Sequence, residues 1–241
     1  MLLIVLEPVS GNYLDTAAAY QGRSAVNRMP RLDHLFAQNV GYATFFTHNR
    51  RTNRGLYSLL CGEYPRLLAG TPKMSVAAGR PWHRCLPGVL AENGYRTVWF
   101  LTLLNAGTHH PFVVPPSYES PDRTAVRRAF SYLDGALMSF FHALDARGLR
   151  DDTLILITSD ESRGDFGELS DGTAALLSEN WGFLVAMLPE RERRVVGEPF
   201  AQSDVALSVV DYLGIDRADL DFFGRSVFRA YDRGRVLFYG N

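Results

Sequence analysis

The sequence predicts an α/β fold, a mixed, mainly parallel sheet sandwiched by helices. Three observations carry the prediction. Apolar runs of strand length stand at 2–6, 153–158 and 182–188. Segments with apolar residues at helical spacing fall between them, and several of these close on a glycine, at Gly62, Gly148 and Gly214. Strands and helices in alternation, the strands apolar along most of their length, are the pattern of a sheet covered by helices.

Taken in order, Leu2–Leu6 reads as a buried strand that stops at Glu7 and Pro8. Pro30–Gln38 reads as a short helix with Leu32, Leu35 and Phe36 on one side. A second helix begins near Thr52 and turns Leu56, Leu59 and Leu60 inward until Gly62. Residues 84–93 form another, and after Gly94 a strand is expected at 95–100. The strongest helical period lies in 123–147, where Val126, Phe130, Leu133, Leu137, Phe140, Phe141 and Leu144 recur before Gly148. The β-branched run 153–158 is the next buried strand, with Ser159, Asp160 and Glu161 at its end, and 182–188 is another. Ser203 is placed as the cap of a helix at 204–213, and 235–239 as an edge strand. Chemistry is expected at the carboxyl ends of the strands.

A length of 241 residues fits one domain spanning 1–241. With 25 basic against 26 acidic side chains and 46% hydrophobic residues, the chain is an ordinary globular one. That balance excludes a basic nucleic-acid binder of the usual kind. The opening MLLIVLEP places six apolar residues before Glu7, far short of the roughly 20 that span a bilayer. The chain as given therefore reads as soluble. Cys61 and Cys85 allow one bridge or two buried thiols.

Glu7 and the pair Asp160-Glu161 stand at strand ends, where their carboxylates serve as oxygen ligands for a divalent metal if the strands are neighbours. The competing reading makes them loop or cap residues. Asp33, Asp134 and Asp204 read as caps or surface contacts. Between 47 and 55, hydroxyls and guanidinium groups precede an apolar helical run. Thr52 there either caps the helix or acts as a nucleophile beside a metal, with Arg51 and Arg54 either neutralising anionic oxygens or forming surface ion pairs. His109 and His110 occupy a loop before Pro111-Phe112, suited to donating to a phosphoryl oxygen or to packing.

These segments together resemble the catalytic domain of the lipoteichoic acid synthase and phosphoglycerol transferase family, in the sulfatase and alkaline-phosphatase-like superfamily. LLIVLEPVSGNYLD is similar to the family's first strand and turn, and the resemblance makes Glu7 its metal-binding glutamate. Within RLDHLFAQNVGYATFFTHNRRTNRGLYSLLCGEYP the nucleophile position falls on Thr52. LPGVLAENGYRTVWF fits the helix and strand that follow, and NAGTHHPF resembles a Ser-x-His-x-Pro-Phe segment that assigns the substrate-site histidine to His109. YLDGALMSFFHALDARG, LILITSDES, SDVALSVVDYLGID and GRSVF complete the match in the family's order.

The resemblance implies an alkaline-phosphatase-like fold and a metal site of Glu7, Thr52, Asp160 and Glu161, holding Mn²⁺ or Mg²⁺ in preference, with Zn²⁺ as an alternative. It implies Arg51, Arg54 and His109 at the substrate, a phospholipid donor at a membrane surface, and a glycan or glycerol phosphate polymer as acceptor. The expected location is the periplasm or the outer face of the cytoplasmic membrane. Phosphoethanolamine transfer, ester hydrolysis and a non-catalytic envelope-binding role are the alternatives. The Cys-x-Pro-x-Arg or Ser-x-Pro-x-Arg motif of sulfatases does not occur around Thr52. Two departures stand out. Glu161 replaces the family's histidine after the aspartate, and a middle segment normally found near 100–101 is absent from the chain.

Overall fold

A computed structural model describes residues 1–48, 51–64, 85–96, 98, 107–162, 178–216 and 220–238. The sheet is built from β1 (Leu2–Leu6), β2 (Val40–Phe46), β3 (Ile155–Ser159), β4 (Trp181–Met187), β5 (Arg194–Val196) and β6 (Phe200–Ala201). Its order is β1-β3-β4-β2-β5, with β6 also paired to β2. β4 runs against its two neighbours, while β1 with β3, and β2 with β5 and β6, pair in parallel. The sheet is therefore mixed and, one strand apart, of a single direction.

Helices cover both faces, and the alternation of side chains along the strands divides the core accordingly. Ile155, Ile157, Phe183 and Val185 face a layer with Leu14, Ala17, Leu32, Phe36, Phe130, Leu137 and Phe141. These come from α1 (Asp15–Tyr20), α2 (Pro30–Gln38), α5 (Ala125–Asp145) and the segment before α1. Leu156, Leu184 and Ala186 face the other layer, with Leu59, Leu86, Val89, Val205 and Val209. Those belong to α3 (Thr52–Cys61), α4 (Leu86–Glu92) and α6 (Ser203–Tyr212). Burial on both faces explains why β3 and β4 are apolar runs.

Several expectations are corrected. β2 was not expected, because Gly41, Ala43 and Thr44 interrupt its apolar run. Gly41 is there because the Phe36 ring lies over it, where a Cβ would come within 2.5 Å of Cε1. No strand forms at 235–238. That segment is tied by side chains, Arg235 to Asp204 and the Phe238 carbonyl to His48, and not to a sheet edge. Residue 239 lies outside the described residues, as do 97, 99 and 100 of the strand expected at 95–100. Tyr95, Arg96 and Val98 are not in a strand.

Ser203 does not cap the last helix. Gln202 holds the cap position and Ser203 opens α6. Asp33 accepts from the Thr16 amide in the first turn of α1, and Asp134, on α5, accepts from the Arg31 and Leu32 amides that open α2. Both act as caps delivered from another element. Cys61 and Cys85 form a disulfide joining the end of α3 to the start of α4. Among the described residues no helix is long and apolar enough to cross a membrane.

Candidate metal and nucleophile site

The site forms because β1 and β3 are parallel neighbours. Leu6 pairs with Ser159, so the residues that follow, Glu7 and Asp160, leave adjacent strands side by side. The Ser159 hydroxyl fastens the two ends, donating to the Leu6 carbonyl at 2.8 Å and accepting from the Val9 amide at 3.1 Å. β2 shares their direction, and the chain leaving it delivers His48 and then α3 to the same edge.

Arg51, exposed, takes the cap position of α3 without a side-chain capping bond, and Thr52 is the first helical residue. Its hydroxyl is not a cap. Thr52 Oγ1 donates to Glu7 Oε1 at 2.6 Å. The helix can come so close because of Gly55, where a Cβ would fall 1.7 Å from the Asp160 carbonyl oxygen. Only hydrogen fits that contact. Arg54, half-buried, lies in the same first turn.

The fourth contributor arrives from 107–110. Thr108 Oγ1 donates to the Glu7 carbonyl at 2.5 Å, and His109 Nε2 lies 2.5 Å from Glu7 Oε1. Glu7, His109 and Glu161 each place a ligand atom within 4.8 Å of the others. His110 is exposed and packs edge-on to Phe112.

Asp160 is 1% exposed. Burial pushes its carboxyl up to about 8, and the charges of Glu7 and Glu161 push the same way, while the Thr52 hydroxyl and the Glu161 amide oppose them. Asp160 Oδ1 accepts from the Glu161 amide, but Oδ2 is buried with no hydrogen-bond partner among the described residues. An unsatisfied carboxylate oxygen amid two further carboxylates is costly unless a cation joins them. The residues thus fit a divalent ion, and the preponderance of oxygen donors favours a hard one.

A supporting layer was not anticipated. Gln202, fully buried, donates through Nε2 to the carbonyls of Ser159, at 3.0 Å, and Asp160, at 2.5 Å, and accepts the His48 amide at 3.0 Å on Oε1. It ties the end of β3 to the chain that leads to Thr52. His48 is 3% exposed, with Nδ1 donating to the Phe238 carbonyl and Nε2 accepting from Ser203 Oγ. Burial lowers its pKa to about 4. A single Gln before a helix carries no periodic signal, so only the stretch 47–55, rich in polar groups, marked this region.

No family model and no curated relative matches the sequence. Solved structures do. A protein in the alkaline phosphatase superfamily from Vibrio parahaemolyticus superposes with a TM-score of 0.74 at 14% identity, over 96% of this chain and 70% of that one. The lipoteichoic acid synthase LtaP from Listeria monocytogenes gives 0.74 at 16%, over 93% and 74%. A phosphonate monoester hydrolase from Silicibacter pomeroyi gives 0.59 at 13%, over 98% and 78%. With its mixed sheet between two helical layers, the chain has the fold of the alkaline phosphatase superfamily.

Proposed function

We propose that this chain is a metal-dependent phosphoglycerol transferase that uses Thr52 as its nucleophile. The observation that carries the reading is the Thr52 hydroxyl, held at 2.6 Å on Glu7 beside the unsatisfied carboxylate of Asp160. Structural neighbours that include a lipoteichoic acid synthase support phosphoryl chemistry on this fold.

Glu7, Thr52, Asp160 and Glu161 would hold Mn²⁺ or Mg²⁺, with Zn²⁺ as the softer alternative. A cation bound there lowers the pKa of the hydroxyl and offsets charge on phosphoryl oxygens. Thr52 Oγ loses its proton and forms a bond to phosphorus, the ester bond to diacylglycerol breaks, and diacylglycerol leaves carrying a proton. A phosphoglycerol ester of Thr52 remains. An acceptor hydroxyl on a glycan or glycerol phosphate polymer then displaces Thr52, which regains its proton. Arg51 and Arg54, at the opening of α3, would neutralise the phosphoryl oxygens.

The donor is a phospholipid at a membrane surface, and the location is the outer face of the cytoplasmic membrane or the periplasm. The Cys61–Cys85 disulfide supports an oxidising compartment.

Peptide mass spectrometry after incubation with Mn²⁺ and phosphatidylglycerol tests the reading, with T52A as control. A phosphoglycerol adduct confined to Thr52 is expected. An adduct elsewhere, or none when Mn²⁺ is shown to be bound, overturns it. Parallel incubation with phosphatidylethanolamine distinguishes phosphoethanolamine transfer, and release of glycerol phosphate without acceptor marks hydrolysis.

A further inference from the structure

We infer that His109 is a ligand of the cation, so that the site is a mixed nitrogen and oxygen centre rather than an all-oxygen one. The inference rests on the metal-dependent reading above and departs from it in the role given to this imidazole.

Three observations lead to it. His109 Nε2 and the Thr52 hydroxyl converge on the same oxygen, Glu7 Oε1, at 2.5 and 2.6 Å. Two hydrogen-bond donors gathered on one carboxylate oxygen do, without a cation, part of what a cation would do. Next, the position of the imidazole is built in. Thr108, 2% exposed, anchors to the backbone carbonyl of Glu7, so the residue after it is held against the Glu7 carboxylate. Finally, the ligand atoms of Glu7, His109 and Glu161 lie within 4.8 Å of one another, beside Oδ2 of Asp160, which is buried and has no hydrogen-bond partner among the described residues. That oxygen is the independent sign that a cation belongs here.

Coordination through Nε2 requires the ring's hydrogen on Nδ1, which is the neutral tautomer, with the Nε2 lone pair free for the ion. One imidazole among carboxylates moves the preference from Mg²⁺ toward Mn²⁺ and Zn²⁺, since imidazole suits the transition metals. It also removes His109 from direct contact with the substrate's phosphoryl group.

The test uses the intact chain and Mn²⁺ alone. Pulsed electron paramagnetic resonance of bound Mn²⁺ is expected to show nitrogen coupling that changes when histidine is labelled with ¹⁵N. His109→Gln is expected to abolish the coupling and to weaken Mn²⁺ binding by more than about a hundredfold, beyond the 10- to 100-fold typical of an outer-shell partner. It should also narrow the gap between Mn²⁺ and Mg²⁺ affinities. His110→Gln should leave both unchanged. If His109→Gln does not fold, single replacements of each other histidine that all retain the coupling assign it to His109. Bound Mn²⁺ without histidine coupling, coupling that survives His109→Gln, or no Mn²⁺ binding overturns the inference. A Thr52 adduct without histidine coupling defeats this assignment alone, whereas coupling without an adduct defeats only the proposed transfer.

Discussion

Thr52 and Glu7, 45 residues apart, meet in a 2.6 Å hydrogen bond at the carboxyl edge of the sheet. The bond aims the hydroxyl at a carboxylate instead of at the amides of its own helix. Thr52→Ala is therefore expected to reduce transfer by roughly three orders of magnitude or more, as removing an attacking atom does. Thr52→Ser should stay within about tenfold of the parent, because the oxygen is retained. Rates of diacylglycerol release measured for the two variants check the difference, and equal rates would dismiss Thr52 as nucleophile.

Gly55→Ala tests the close approach of α3 to the end of β3. The added methyl would meet the Asp160 carbonyl at 1.7 Å, and a backbone atom has no rotamer to escape into. A loss of about 1–3 kcal/mol is expected from the forced separation, together with weaker Mn²⁺ binding. Chemical denaturation and a Mn²⁺ titration read the two effects, and a variant with unchanged stability and affinity would show the contact to be unimportant.

Gln202→Leu preserves bulk but removes the amide that joins Ser159, Asp160 and His48. Buried backbone groups left unpaired cost about 1–3 kcal/mol each, so the loss of stability should exceed that of an exposed glutamine by several-fold. Mn²⁺ affinity should fall as well, since Asp160 loses its brace. Denaturant titration with and without Mn²⁺ measures both.

His48 makes stability depend on pH. Its folded-state pKa of about 4 lies below the ordinary 6.5, with burial as the main cause, the Phe238 carbonyl opposing it and the Arg235 charge adding to it. The folded state thus refuses a proton that the unfolded chain accepts. The stabilisation is complete above about pH 6.5 and is lost as the pH falls toward 4, amounting to about 3 kcal/mol. Denaturation at a series of pH values, compared with His48→Gln to remove contributions from Asp134, Asp204 and other groups, should isolate this slope. Parallel curves for the two proteins would refute it.

The Cys61–Cys85 bridge closes a loop with a sequence separation of 24. Replacing both cysteines by serine should cost about 3.5 kcal/mol, the value that chain entropy assigns to a loop of this length. The end of α3 would be freed while its start stays held by Glu7 and Gly55. Denaturation should register the loss, and Thr52 labelling the survival of the site. No change in stability would contradict the bridge.

Much of the fold was legible locally. The runs that became β1, β3 and β4 are apolar because both of their faces are buried, and the long period of α5 is written in Phe130, Leu137 and Phe141. β2 was hidden because Gly41, which answers to the Phe36 ring, and then Ala43 and Thr44 interrupt its apolar run. The expected strand at 235–239 looked apolar enough, yet a strand needs an edge to pair with, and Arg235 is drawn instead to Asp204.

By itself the sequence determined β1, β3, β4 and the helices α2 to α6, and which side chains can do chemistry, because burial and period are written in neighbouring residues. It also placed Glu7, Thr52 and Asp160-Glu161 at the ends of elements. Only the tertiary structure decided that Leu6 pairs with Ser159, that Gly55 lets α3 touch Asp160, that His109 meets the Glu7 carboxylate, and that Gln202 joins the site. Such contacts depend on the register and packing of strands and loops far apart in the chain, which no local window of residues encodes.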